Sequence, residues 1–233
     1  MSASPVSAPR LDPQNAVFLP IDYMHGLMAA CRSIEPGVVR NNAIALAKIA
    51  RLFDLPTIGT GDRSGRTYLG AEMTEIEEII PQMQFINRSS VGAWEAPGYA
   101  EAIRATGRTQ LVMAGITTEQ CVAFTARSAI AAGYQVFVVL DASASLDARS
   151  ETAAIARLSA MGATITTWSP LGAELLGDFA RPHAGGLIKI YSEHQGSLRM
   201  VEDAFAVAVA AARSSIGAGD NAQREGAYSK AGG

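Results

Sequence analysis

Cysteine and histidine are scarce in this 233-residue chain, which has two cysteines, Cys31 and Cys121, and three histidines. Two thiols are too few for a disulfide-stapled scaffold. The dispersed set contains no Cys-x-x-Cys, His-x-x-x-His or His-Glu-x-x-His spacing that would hold zinc. A reducing compartment is expected, with no metal site and no cofactor. Long apolar runs are lacking too. The most apolar late stretch, Ala204 to Ala212, falls far short of the roughly 18 residues that span a bilayer. Met1 to Arg10 lacks the basic start and apolar segment of a secretory leader, so a soluble cytoplasmic protein without a membrane partner is expected. Nor does one sign of charge dominate. The 19 basic and 22 acidic side chains give a formal net charge of -3, which supplies no global attraction to a nucleic-acid backbone. Small molecules and protein partners remain.

Apolar material is plentiful: 48% of the residues are hydrophobic and 18% charged, enough for a sizeable core in one large or two small domains. Short apolar runs alternate with helical patterns. Ala16 to Ile21 reads as a strand, and Val38 to Phe53 as a helix with Val39, Ala43, Leu46, Ala50 and Phe53 on one face. Further strands are expected at Leu55 to Gly59, Gln84 to Asn87, Gln110 to Ala114, Gln135 to Leu140 and Ala163 to Thr167. Helices are expected at Glu75 to Ile80, Tyr99 to Thr106, Glu119 to Ala132 and Glu151 to Met161. Thr74 and Glu77 have the spacing of a capping box, Pro81 ends its helix, and Gly133 suits a C-terminal cap. Strands alternating with helices imply an α/β fold, a three-layer α/β/α sandwich on a six-stranded parallel sheet, because parallel strands require crossovers. The common doubly wound order 3-2-1-4-5-6 is expected. The chain divides into a flexible segment at 1–14, a domain at 15–180, an arm with one helix near Leu198 to Arg213 in 181–213, and a flexible tail at 214–233.

Candidate chemistry gathers at strand ends, because ligands of open parallel sheets bind outside the carboxyl edge. Gly59 to Gly65 is glycine-rich, yet Ser64 stands where a dinucleotide fingerprint needs its third glycine, so a loop at the mouth of a site is the better reading. Cys121 lies in Gly115-Ile116-Thr117-Thr118-Glu119-Gln120-Cys121, between a strand and the first turn of a helix. Amides and the positive helix end there favour a thiolate and can hold an oxyanion, although a small buried cysteine fits the same position. Asp22 follows the first strand and is a candidate base. In the expected order it lies about one strand spacing, roughly 5 Å, from Cys121. Arg88 follows the third strand, about 10 Å from Asp22 by the same spacing, a gap its side chain can cover. Tyr23, His25 and Trp94 are candidate substrate-binding residues, equally explicable as packing aromatics and a loop histidine. Cys31 has no comparable setting and is assigned to structure.

Asp22 after the first strand, Leu111 to Val122 (LVMAGITTEQCV) and Gly133 to Ser143 (GYQVFVVLDAS) together resemble the isochorismatase-like cysteine hydrolases. Ile34 to Thr57 and Ala163 to Leu175 look most like the YcaC-like branch of that family. The resemblance implies Cys121 as nucleophile, Asp22 as proton acceptor and donor, and Arg88 in the basic role where the broad family usually has lysine. It also implies a cis peptide between Ile116 and Thr117, an oxyanion hole from the amides of Thr117 and Cys121, and a homo-oligomer with eight copies as a candidate number. No counterpart of the metal-binding Asp and His cluster of nicotinamidase-like members stands near Asp62. The function implied is metal-independent hydrolysis of a C–N bond in a small amide-like substrate. A non-catalytic oligomeric binding protein of the same fold and a thiol redox protein using Cys121 are the competing readings.

Overall fold

The computed structural model describes residues 10–63 and 67–229. Six parallel strands, β1 (Ala16–Ile21), β2 (Ile58–Gly61), β3 (Gln84–Asn87), β4 (Gln110–Gly115), β5 (Gln135–Val139) and β6 (Thr164–Thr166), form one sheet in the order β3-β2-β1-β4-β5-β6. Between and after them run α1 (His25–Ala30), α2 (Pro36–Leu52), α3 (Glu75–Ile79), α4 (Tyr99–Ala105), α5 (Ala123–Ala131), α6 (Ala148–Ala160), α7 (Trp168–Leu176), α8 (Ala184–His194) and α9 (Gly196–Ser229). This is the expected fold class and strand order.

Strands β1 and β4 are buried along their whole length, as central strands covered on both faces must be. Alternation sends Val17, Leu19 and Ile21, with Leu111 and Met113, into a cluster with Tyr99 and Ile103 of α4 and Ala126 of α5. Phe18, Val112 and Phe137 point to the other side and are equally buried. Helix α2 begins where Pro36 occupies its first turn and the Glu35 carboxylate accepts the Val38 amide. Its face carrying Val39, Ala43, Leu46 and Ala50 is buried, and it packs with α3 and α7. Gly133, with φ of 90°, turns the chain out of α5 as a residue without Cβ can.

Several local expectations need correction. Strand β2 starts at Ile58 rather than Leu55, so Gly59, Thr60 and Gly61 belong to the sheet and not to a loop; residues 64–66 lie outside the described residues. Thr74 makes no capping bond to the α3 backbone, since its own backbone is helical (φ -77°, ψ -23°) rather than extended as in a cap; its hydroxyl donates to Glu78 Oε1 at 3.0 Å. The helix foreseen from Glu119 opens as a π-helical turn over Thr118–Val122 before α5. Helices α1, α7 and α8 are additional. Helix α9, Gly196–Ser229, contains the helix expected near Leu198 to Arg213 and continues beyond it. Residues 1–9 and 230–233 lie outside the described residues.

The chain forms two compact units, the first reaching Ile190 and the second starting at Tyr191. The first therefore continues past Ala180 into α8, whose Leu187 and Ile190 are buried. In the second, α9 exposes Met200, Val201, Phe205 and Val207. No helix among the described residues is long and apolar enough to cross a membrane.

The register of β1 and β4 is unbroken from Ala16 opposite Gln110 to Ile21 opposite Gly115, and it aligns the two chain exits that matter for the site. Gly115 closes this pairing, since a Cβ there would collide with the Ile21 carbonyl. Gly115→Ala is expected to destabilise the fold by about 1–3 kcal/mol through that overlap, read as a lower urea midpoint. An unchanged midpoint would mean that the strand ends are not tightly apposed.

Candidate active site

The ends of β1, β3 and β4, with that of β2 between the first two, build the site. Asp22, the residue after β1, adopts a left-handed backbone (φ 52°) and its amide donates to Thr60 O at 2.9 Å. For a residue with a side chain this conformation is costly and is found where surrounding structure imposes it, often at functional positions. Arg88, the residue after β3, donates its amide to Gly61 O at 3.2 Å. The backbone amides of both residues therefore hang from consecutive carbonyls at the end of β2. They form an ion pair, Arg88 Nη2 with Asp22 Oδ2, and Arg88 Nη1 donates to Ser90 O. The two side chains are only 6% and 7% exposed.

Cys121 approaches from β4, past a cis peptide between Ile116 and Thr117 of the kind the resemblance implied, and sits in the π-helical turn. Such turns are uncommon and frequent at functional sites. The turn is tied down by Thr125, whose hydroxyl donates to Cys121 O at 2.7 Å and accepts the Ala93 amide at 2.8 Å. The thiol lies beside the Asp22–Arg88 pair, close enough for both charges to act on it.

Electrostatics differ from the sequence expectation of a thiolate. Burial, followed by the negative charge and hydrogen bond of Asp22, pushes the Cys121 thiol up to about 11, against the lowering by Arg88. Burial also raises Asp22 above the usual carboxylate range, although Arg88 and the Cys121 hydrogen bond oppose it. An ion pair would lower Asp22 if it were in water; here the loss of hydration is the larger effect. The resting arrangement is thus a neutral thiol beside a carboxylate that can take its proton.

The three groups face a cavity of about 430 Å³, a volume suited to a small organic molecule. Thr117, Gln120 and Ser90 add polar groups, and Met24, Leu27 and Leu146 apolar wall. Thr117 Oγ1 and Arg88 Nε are buried without a hydrogen-bond partner. A slightly larger cavity of about 460 Å³ beside Arg108 and His183 is lined by no cysteine, serine or threonine.

The proposed substrate contacts are not brought here. Tyr23 is fully buried, its hydroxyl donating to Ala142 O at 2.5 Å, so it is structural. Trp94 packs edge-on to Tyr134 at 5.4 Å between ring centroids, against the core cluster. His25 is exposed on α1 and is not among the cavity residues. Cys31 is buried, donates to Leu27 O at 3.3 Å, and is pushed up to about 11 chiefly by burial. Sequence reasoning missed Glu72, a half-buried acid near Asp22 and Arg88, pushed up to about 8 by burial and by the Asp22 charge. Its one-dimensional signal was Gly61, a glycine within a strand that marks close approach by another group.

The parallel α/β sheet thus brings an acid, a cation and a thiol together at its carboxyl edge. Residues 16–170 match the isochorismatase domain, and the chain belongs to that family as an isochorismatase-like hydrolase. It is 39% identical over 187 residues to the probable hydrolase YcaC of Escherichia coli, covering 79% of this chain and 88% of that one. The structure of YcaC from Pseudomonas aeruginosa with hexane-2,5-diol and covalent acrylamide superposes with a TM-score of 0.82 at 36% identity, covering 86% of this chain and 98% of that one. The Escherichia coli YcaC structure, described as an octameric hydrolase of unknown specificity, gives 0.82 at 35% identity over 88% and 99%.

Since the Asp22 charge raises the thiol, Asp22→Asn should lower it and release more thiolate at neutral pH. Alkylation of Cys121 by iodoacetamide at pH 8, followed by peptide-resolved mass spectrometry, should accelerate roughly threefold or more. A slower or unchanged rate would contradict the assigned electrostatics.

Proposed function

We propose that the protein is a metal-independent cysteine hydrolase that cleaves a C–N bond of a small amide-like substrate through a Cys121 thioester. One observation carries the reading: a thiol beside a carboxylate that is itself paired with a buried guanidinium, all facing one cavity.

The steps balance with these groups alone. Cys121 sulfur attacks the substrate carbonyl carbon as its proton passes to Asp22, and a C–S bond forms. The amides of Thr117 and Cys121 are assigned to the resulting oxyanion, and the Arg88 charge offsets negative charge around the sulfur and Asp22. As the C–N bond breaks, Asp22 returns the proton to the leaving nitrogen, releasing ammonia or an amine. Water then gives a proton to Asp22 and attacks the thioester; the C–S bond breaks, the carboxylic acid leaves, and the sulfur regains its proton. Arginine keeps the positive charge of the usual family lysine but does not exchange protons at working pH.

A YcaC from Pseudomonas aeruginosa is described with covalent acrylamide, and an amide of that size suits the cavity beside Cys121. The octameric Escherichia coli relative supports a homo-oligomer for this chain. All three reacting side chains fall within the 15–180 segment assigned to the hydrolase domain, and a reducing cytoplasm would keep both thiols free.

Ammonia release from a panel of small aliphatic amides and ureas tests the reading. The wild type should turn over at least one member, Cys121→Ala should lose turnover by about a thousandfold or more, and Arg88→Lys should retain part of it. Turnover that survives Cys121→Ala would sink the covalent route, and a folded protein inactive across the panel would favour the binding-protein reading.

A further inference from the structure

Glu72 is an acid that the proposed chemistry does not use, yet its position is built. The segment Ala71 to Met73 runs antiparallel to Tyr23 to His25, immediately after Asp22: Glu72 bridges Met24, the Met73 amide donates to Tyr23 O at 2.8 Å, and the His25 amide donates to Ala71 O at 3.0 Å. From this ribbon the Glu72 side chain crosses to the end of β2, where Oε1 accepts the Asp62 amide at 3.2 Å. The carboxyl group lies directly over Gly61, where any Cβ would overlap Glu72 Oε1. Gly61 O in turn holds the Arg88 amide at 3.2 Å, and Thr60 O holds that of Asp22 at 2.9 Å.

We propose that Glu72 is a positioning residue for the Asp22–Arg88–Cys121 centre, clamping the Gly61–Asp62 backbone from which Arg88 is suspended. The groups facing it are Asp22 and Tyr23 from the β1 exit, Asp62 and Arg63 from the β2 exit, and Arg88 from the β3 exit. Among these neighbours an uncharged acid suits the place, since a second carboxylate would repel Asp22 and compete for Arg88. The raised Glu72 carboxyl, near 8, agrees with that state at neutral pH. Asp22 is additionally fixed by the β1–β4 register, so loss of the clamp should release Arg88 more than Asp22. Because Arg88 lowers the Cys121 thiol, its release should raise the thiol further.

This inference rests on the catalytic reading of the three groups, but its test needs no turnover and so fails independently of that reading. The rate of Cys121 alkylation by iodoacetamide is measured from pH 6 to 10 in the full chain, with thermal unfolding recorded for each variant. Glu72→Leu should move the profile to higher pH and slow alkylation at pH 8 about threefold or more. Glu72→Gln keeps an acceptor for the Asp62 amide and should remain within about twofold of the wild type. Gly61→Ala should reproduce the Glu72→Leu defect by displacing the carboxyl group, with no further loss in the double variant, since the two changes break one contact. A folded Glu72→Leu or Gly61→Ala variant with the wild-type profile would overturn the proposal. So would a Glu72→Gln variant as slow as Glu72→Leu, because Gln keeps the acceptor that the clamp requires.

Discussion

The buried ion pair between Asp22 and Arg88 is the constraint on which the site depends. Removing two charges from water costs several kcal/mol per ion, and the attraction between them offsets this only when geometry and further hydrogen bonds are good. Both conditions are met by the sheet. Asp22 and Arg88 leave β1 and β3, their amides are held by adjacent carbonyls of β2, and Arg88 has a second acceptor in Ser90 O. Such a pair is a weak contributor to net stability compared with apolar packing of equal volume. Its consequence is positional: a carboxylate is held with its cation beside a thiol at the floor of a cavity.

The order of the strands converts that pair into a reactive centre. With β1 central, β2 and β3 bring Arg88 from one side and β4 brings Cys121 from the other. Burial governs the charge state of what meets there. The desolvation of Cys121, reinforced by Asp22, outweighs the Arg88 cation, so the thiol is neutral at rest. A thiol of this kind is protected from indiscriminate electrophiles, whose reaction needs thiolate; in the proposed mechanism it becomes a nucleophile when its proton moves to the neighbouring carboxylate. The raised Asp22 suits this part, since a carboxylate made more basic by burial accepts a thiol proton more readily and can still return it to an amine.

Much of this was legible in the residues because period and punctuation agree. The uniform apolar runs of β1, β4 and β5 mark buried parallel strands, the strand order follows from the doubly wound pattern, and Asp22, Arg88 and Cys121 fall at strand ends whose neighbours that order specifies. Beta-2 was misplaced because Gly59-Thr60-Gly61 has loop composition, whereas the glycines there answer to packing: a Cβ at Gly59 would crowd Met83 and Phe85, and one at Gly61 would overlap Glu72. Tyr23 is adjacent to Asp22 in sequence, but neighbouring side chains leave the chain in different directions, and its hydroxyl finds a backbone acceptor inside the core. Glu72 was hidden because its contacts are made across a reversal of the chain, which no local periodicity encodes. Thr74 carries the spacing of a cap, yet its backbone is helical rather than extended, a conformation that spacing does not resolve.

The central claim is that Cys121 becomes covalently acylated during turnover. Its most direct measure is intact-protein and peptide mass spectrometry of the enzyme quenched in acid while hydrolysing an amide identified by ammonia release. The account predicts a mass increase equal to the acyl group minus one hydrogen, located on the peptide containing Cys121, removed by hydroxylamine and missing in Cys121→Ala. Sustained turnover with no acyl adduct under single-turnover quench, together with activity in Cys121→Ala, would contradict it.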